Sequence, residues 1–344
     1  MSNIKLDLAN QPILNGMVAE ASAGTGKTYS VAALLVRELA TDENLRISEV
    51  MVTTFTRTAA AELRDRIRGA ANNTCDQLRS GKANKDDVMA SHLLATYPND
   101  VDAMIRRLQR ALVEFDSATI STIHSVCTKV LHLAGVSLGS VGEEDITGRV
   151  VAEVVNDAIV SRAVAGVDVS RISPDRMAEV VAKLLADPFT EPWLDPSQNP
   201  FIEAQPISAE EQQFLDEYLQ MIYECKNRVQ DATLNHPSFN DLLKRAHDVV
   251  TDESRIALID DIRSRFKLAI VDEAQDTDKL QWGFFDALFP SDQVDRALIA
   301  VGDPKQAIFG FRGADVRAFV LRGDPSRKRT LTTNHRSDKP VLDQ

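Results

Sequence analysis

The chain of 344 residues has no apolar run approaching the roughly 20 residues needed to cross a bilayer, which excludes a membrane-spanning helix. Its first residues, MSNIKLDLANQP, contain no signal-peptide apolar core, so a cytoplasmic protein with no membrane partner is expected. Cysteine is scarce. Cys75, Cys127 and Cys225 are odd in number and far apart, which excludes Cys-only zinc or iron–sulfur spacing within the chain and fits a reducing compartment. There is no internal repeat and no low-complexity segment. Positive charge is in deficit, with 39 Lys and Arg against 51 Asp and Glu and a net charge of −12. Taken alone, that weighs mildly against a nucleic-acid partner. The positive charge is clustered, however: Arg57, Arg64, Arg66 and Arg68; Lys305, Arg312 and Arg317; Arg322, Arg327, Lys328 and Arg329. A local basic groove therefore stays open.

What remains is a globular composition, 44% hydrophobic and 26% charged, in a chain long enough for two or three domains. GMVAEA (16–21), EVMVTTF (49–55), SATIST (117–122), KLAIVDEA (267–274), RALIAVGD (296–303) and RTLTTN (329–334) read as strands. Residues 27–40 have helical periodicity, TAAAELRDRIRGA (58–70) is a strong helix with Thr58 as its expected N-cap, and another helix starts near His124. Strands alternating with helices imply an α/β fold on a parallel sheet. Ligands of such sheets bind beyond the strand C-terminal ends, where the unusual residues lie: after Glu20, after Phe55, at Asp272 and after Val301. Residues 136–236 differ, with amphipathic helical patterns and Pro-containing loops, and read as a mostly helical insertion. Trp193 and Trp282 read as packing residues.

AEASAGTGKTYS (19–30) follows a strand and opens a helix. Gly24 and Gly26 permit close backbone approach, so amide N–H groups can ring a phosphate, with Lys27 reaching the β/γ-phosphates and Thr28 offering its hydroxyl to Mg²⁺. The pattern's first glycine is replaced by Ala21. The alternative is a Gly-rich turn. Asp272 and Glu273 end an apolar strand; beside a phosphate loop the first can hold Mg²⁺ and the second can deprotonate an attacking water. The alternative is an exposed acidic turn. Together the two segments point to nucleoside-triphosphate hydrolysis.

VTTFTRTAAAELRDRI (52–67), TISTIHSVC (119–127), SFNDLL (238–243), VDEAQDTDKLQ (271–281), VGDPKQAIFGFRGAD (301–315) and LTTNHRS (331–337) follow in this order. Together they resemble the ordered motifs of UvrD/Rep-type superfamily 1 DNA helicases. The wording EASAGTGKT and GDPKQAIFGFRGAD is most similar to the RecB-like (exodeoxyribonuclease V beta subunit) and AddA-like subunits of helicase–nuclease complexes. The resemblance covers nearly the whole chain. It implies a RecA-like P-loop NTPase domain, 1A, over 1–135 and 237–325, a helical 1B-like insertion over 136–236, and the start of a second motor domain, 2A, from 326 to 344. It also implies an ATP-dependent 3′→5′ DNA helicase, with ATP and Mg²⁺ as cofactors and single-stranded DNA, a duplex end and other subunits of a helicase–nuclease as partners.

Residue by residue, the resemblance places ATP and Mg²⁺ on the loop formed by Ala21, Ser22, Ala23, Gly24, Thr25, Gly26, Lys27 and Thr28, with Asp272 on the metal. Glu273 is the implied catalytic base, Gln306 the γ-phosphate sensor and Arg336 an arginine finger. Arg66 is an implied nucleotide contact and Gln11 an adenine reader. Thr54, Phe55, Thr56, Arg57 and His124 are implied to lie on the DNA path. Phe309 and Phe311, with Arg312 beside them, are implied to face bases, where stacking contributes about 1–3 kcal/mol without reading identity. Alternatives stay open: both rings in the core, His124 as a core histidine, and the arginines at 64, 66 and 68 as a solvated helix face. The family's motor clamps ATP between two domains, so the chain is expected to be an N-terminal part of a larger subunit that binds ATP, turns it over slowly and unwinds nothing, since a docked arginine finger contributes about 10³–10⁵ in rate. Other readings are a free-standing UvrD-like helicase, a non-catalytic motor-like scaffold, and a nucleotide switch unrelated to DNA.

Overall fold

Six runs rich in Val, Ile, Ala and Thr become six parallel strands of one sheet in the computed structural model, which describes residues 6–22, 26–84, 87–136, 147–186, 208–233, 239–293, 295–307, 319–320, 322 and 325–331. The first part of the chain folds as β1 (Met17–Ala21), α1 (Lys27–Thr41), β2 (Val50–Thr54), α2 (Arg57–Ser80), α3 (Val88–Thr96), α4 (Val101–Val113), β3 (Thr119–Thr122) and α5 (Ile123–Leu133). Next come α6 (Thr147–Val164), α7 (Pro174–Ala186), α8 (Ala209–Ala232) and α9 (Phe239–Thr251). The last part is α10 (Ile256–Ser264), β4 (Leu268–Asp272), α11 (Lys279–Leu288), β5 (Ala297–Gly302) and β6 (Lys328–Leu331). Contacts divide the chain into two units, Met1–Ala134 with Ala246–Gln344, and Gly135–Arg245.

In the first unit the strand order is β3-β2-β4-β5-β1-β6. Strands covered on both faces read as continuous apolar runs rather than alternating ones, and β2 and β4 are buried at every position. One core gathers Met17, Val31, Leu35, Val52, Leu63, Ile67, Leu108, Phe115, Ile270 and Ile299 between the sheet and α1, α2 and α4. Trp282, on α11, is buried against Phe285; Trp193 lies outside the described residues. The second unit packs α6, α7 and α8 around Val155, Met177, Val181, Ile222 and Cys225. Among the described residues no helix is long and apolar enough to cross a membrane.

One expectation is corrected. The helix after β2 is capped by Thr56, whose side chain accepts from the Ala59 N–H at 3.1 Å, two residues earlier than Thr58. Residues 328–331, in the segment expected to open a second domain, join the first sheet. They form β6, which pairs with β1 from Val18↔Lys328 to Ala21↔Leu331 and buries Leu331 in the first core. The unpaired edge of β1 is satisfied by this strand, so its hydrogen bonds hold the segment in the first sheet. The remainder of the expected second domain, 332–344, lies outside the described residues.

Candidate functional site

Parallel pairing brings the C-terminal ends of β4, β5 and β1 level, with Asp272 opposite Val301 and Glu20 opposite Gly302. Adjacent strands lie about 5 Å apart, so β1 and β4 end roughly 10 Å from each other with β5 between them. Lys27, in the first turn of α1, spans that gap: its Nζ donates to Glu273 Oε2 at 2.5 Å, with the two side chains 13% and 34% exposed. Gly26 takes φ 77, a left-handed conformation natural for glycine, and α1 has no side-chain cap. The helices α2, α3, α5, α8 and α11 are all capped by a side chain. The first turn of α1, with its positive dipole end, can thus meet an anion without displacing a capping side chain at Gly26. Ala21 is buried at the end of β1 and Thr28 is half-buried; Ala23, Gly24 and Thr25 lie outside the described residues.

Asp272 is 9% exposed, and its Oδ1 has no hydrogen-bond partner. Burial pushes its carboxyl from the ordinary 3.8 up to about 6, with Lys27 pulling it down and Glu273 pushing it up. A divalent cation beside it would offset the desolvation that its charge suffers, so the donor set fits a hard metal. Because the folded value is the higher one, the free chain loses stability as pH rises from about 4 through about 6, by roughly 2–3 kcal/mol once the group is ionised. Asp272→Asn is therefore expected to raise the unfolding midpoint in chelator at pH 7.5 by about 5 °C. The gain should vanish near pH 4, where the wild-type carboxyl is itself neutral. A thermal melt at the two pH values checks both statements.

Glu273 is the one non-glycine residue among those described with positive φ, at 55. Such a conformation costs a non-glycine residue of order 1–3 kcal/mol, and it turns β4 into the short helical turn Ala274–Asp276. Two residues that sequence reasoning left without a role sit here. Gln275, 1% exposed, donates through Nε2 to Glu273 Oε2 at 2.7 Å and accepts through Oε1 from the Asp303 N–H at 2.9 Å. Asp303, after β5, accepts from Gln306 Nε2 at 2.5 Å. Both stand inside quoted motifs, DEAQD and GDPKQ, which was the available signal.

The other end of the same sheet edge carries the residues implied for DNA. Thr54 and Thr122 are register partners at the ends of β2 and β3. Thr56 caps α2 and Thr122 caps α5, so two helices start from the ends of neighbouring strands. Thr54 is buried, Phe55 half-buried, and Thr56 and Arg57 exposed. His124, in the first turn of α5, is half-buried, and burial depresses its pKa, so it is neutral at pH 7.

Other expected residues go elsewhere. Arg66 is exposed and paired with Glu62 at 2.5 Å. Arg64 donates to the Ile120 carbonyl at 3.3 Å, and Arg68 reaches Asp116 at 2.9 Å and lies over Phe115, so both tie α2 to the start of β3. Arg322 pairs with Asp286 over Trp282, and Arg327 donates to the Asn15 carbonyl at 2.6 Å. Gln11 precedes β1, with its Nε2 buried and unpartnered. Phe309, Phe311, Arg312 and Arg336 lie outside the described residues.

The chain matches the UvrD/REP helicase N-terminal domain over residues 3–324. It is 34% identical to the RecBCD enzyme subunit RecB of Mycobacterium tuberculosis, over 95% of this chain and 29% of that protein. It is 32% identical to the subunit of the same name from Mycolicibacterium smegmatis, over 95% and 29%. The Escherichia coli subunit is 26% identical, over 96% and 38%. The chain thus spans 29–38% of the length of these relatives.

Proposed function

The chain belongs to the UvrD/REP helicase family, and from that premise we propose that it is the ATP-binding part of a DNA helicase that moves 3′→5′ along single-stranded DNA within a RecB-type recombination and repair helicase–nuclease of the cytoplasm. The observation that carries this reading is the Lys27–Glu273 pair closed across the end of β5, beside the buried Asp272. In it, Lys27 leaves Glu273 for the β/γ-phosphates, which follow residues 21–28 onto the open N-terminus of α1. Thr28 and Asp272 would hold Mg²⁺, which would supply charge neutralisation for phosphoryl transfer. Glu273, released from Lys27, takes the proton of the attacking water. Gln306 turns from Asp303 toward the γ-phosphate, and Gln11 offers its unspent Nε2 to the base. Arg66 leaves Glu62 to serve the nucleotide. Arg336 would act in trans of this sheet as the arginine finger.

DNA runs along the other half of the edge. Hydroxyls and basic side chains position phosphates without reading sequence, and Thr54, Phe55, Thr56, Arg57 and His124 gather them at the starts of α2 and α5. Phe309 and Phe311, with Arg312, supply stacking in the same reading. A labelled oligo-dT titrated at rising salt tests the proposal, with Mg-ATP binding measured on the same sample. Expected are Mg-ATP binding and weak oligonucleotide binding that falls steeply with salt, further weakened in the Thr56→Ala/Arg57→Ala double variant. Mg-ATP binding with no oligonucleotide binding at low salt would instead identify a nucleotide switch.

A further inference from the structure

Gln275 is almost fully buried, and none of the roles assigned above uses it. Both ends of its carboxamide are engaged. Nε2 donates to Glu273 Oε2 at 2.7 Å and to Asp276 Oδ2 at 3.2 Å, while Oε1 accepts from the Asp303 N–H at 2.9 Å. That fixes its orientation, because a flipped amide would set a carbonyl against two carboxylates and an NH₂ against an N–H. Asp303, 3% exposed, in turn holds the next turn: Oδ2 accepts from Gln306 Nε2 at 2.5 Å and Oδ1 from the Lys305 N–H at 3.0 Å. Gln275 can pack this closely against the end of β5 only because residue 302 is glycine. A Cβ there would lie 2.5 Å from Gln275 Oε1.

One oxygen is shared. Lys27 Nζ at 2.5 Å and Gln275 Nε2 at 2.7 Å both donate to Oε2 of Glu273. We propose that Gln275 is a positioning residue that ties the Glu273 carboxylate to the β5 turn carrying Gln306, so that whatever holds Lys27 sets the conformation of residues 303–307. When Lys27 moves to a phosphate, Oε2 loses a charge-assisted bond, and Gln275 is left as its donor. The carboxylate then shifts toward the amide, and the Asp303 N–H follows Gln275 Oε1. The inference rests on the nucleotide reading above.

The test is amide hydrogen exchange of the segment 301–307 in this chain, free, with Mg-ADP, and with Mg and a non-hydrolysable ATP analogue, beside Gln275→Met and Gln275→Glu. In the wild type the triphosphate analogue is expected to change exchange of this segment by about fivefold relative to the free chain, the worth of one hydrogen bond. Gln275→Met fills the same space without the hydrogen bonds; it should still bind Mg-ADP yet lose that response. Gln275→Glu keeps an acceptor for the Asp303 N–H but repels Glu273; it should keep the free-state protection and lose the response. A wild type that binds no nucleotide would refute the nucleotide reading itself. A wild type that binds with no change at 301–307, or a Gln275→Met chain that responds as the wild type does, would overturn the role of Gln275.

Discussion

Replacing Glu273 with glutamine is expected to slow Mg-ATP hydrolysis by about 10²–10⁴-fold, the usual worth of a positioned general base, while nucleotide binding becomes several-fold tighter. The two effects have one origin. In the free chain Lys27 is held by Glu273 at 2.5 Å, so ATP must break an ion pair before it can use the lysine. Glutamine keeps the size and a hydrogen-bonding oxygen but removes the charge, so Lys27 is released at lower cost. It also cannot accept the proton of water, so the chemical step is lost. Single-turnover hydrolysis with protein in excess, with and without oligo-dT, reads the first effect, and calorimetry reads the second. A variant that hydrolyses within tenfold of wild type, or binds ATP more weakly, would show that Glu273 is neither the base nor the competitor for Lys27.

Gly302→Ala is expected to be the most destabilising small substitution at this sheet edge. The added Cβ would meet Gln275 Oε1 at 2.5 Å, the Gln275 backbone N at 3.1 Å and Phe319 Cζ at 3.1 Å. None of these atoms can retreat easily. Gln275 is pinned between Glu273 and Asp303, and Phe319 is fully buried. Overpacking costs about 1–3 kcal/mol, and a displaced Gln275 would leave the buried Asp303 N–H unsatisfied for about 1–3 kcal/mol more. Urea denaturation should show a loss of about 2–5 kcal/mol. Gly69→Ala is the control: a Cβ at Gly69, in the middle of α2, meets nothing within 4 Å, so it should stabilise by roughly 0.5–1 kcal/mol through helix propensity. Equal stability of the two variants would contradict the packing described here.

The strands were legible because burial on both faces leaves a signature that composition alone displays, as in LAIVD and ALIAVG. Lys27, Asp272 and Glu273 were legible because their spacing within strand–loop–helix units encodes where they end up. The Gln275–Asp303 contact was not. It depends on β5 lying beside β4, and strand order is a property of the folded sheet that local pattern does not carry. The basic clusters show the same limit. Charges can be counted from sequence, but their partners cannot, and Arg64, Arg68, Arg322 and Arg327 are spent on Asp116, Asp286 and backbone carbonyls. The segment 328–331 was legible as part of a strand, but the strand it pairs with was not. Its backbone hydrogen bonds to β1 were invisible until the edge of that strand was known.

The most direct measurement is calorimetric titration of Mg-ATP into this chain and into Lys27→Ala. A phosphate site at the head of α1 predicts binding by the wild type and an affinity about 10–100-fold weaker in the variant, the worth of one hydrogen bond to a charged group. Equal affinities in the two chains would contradict a nucleotide site at Lys27.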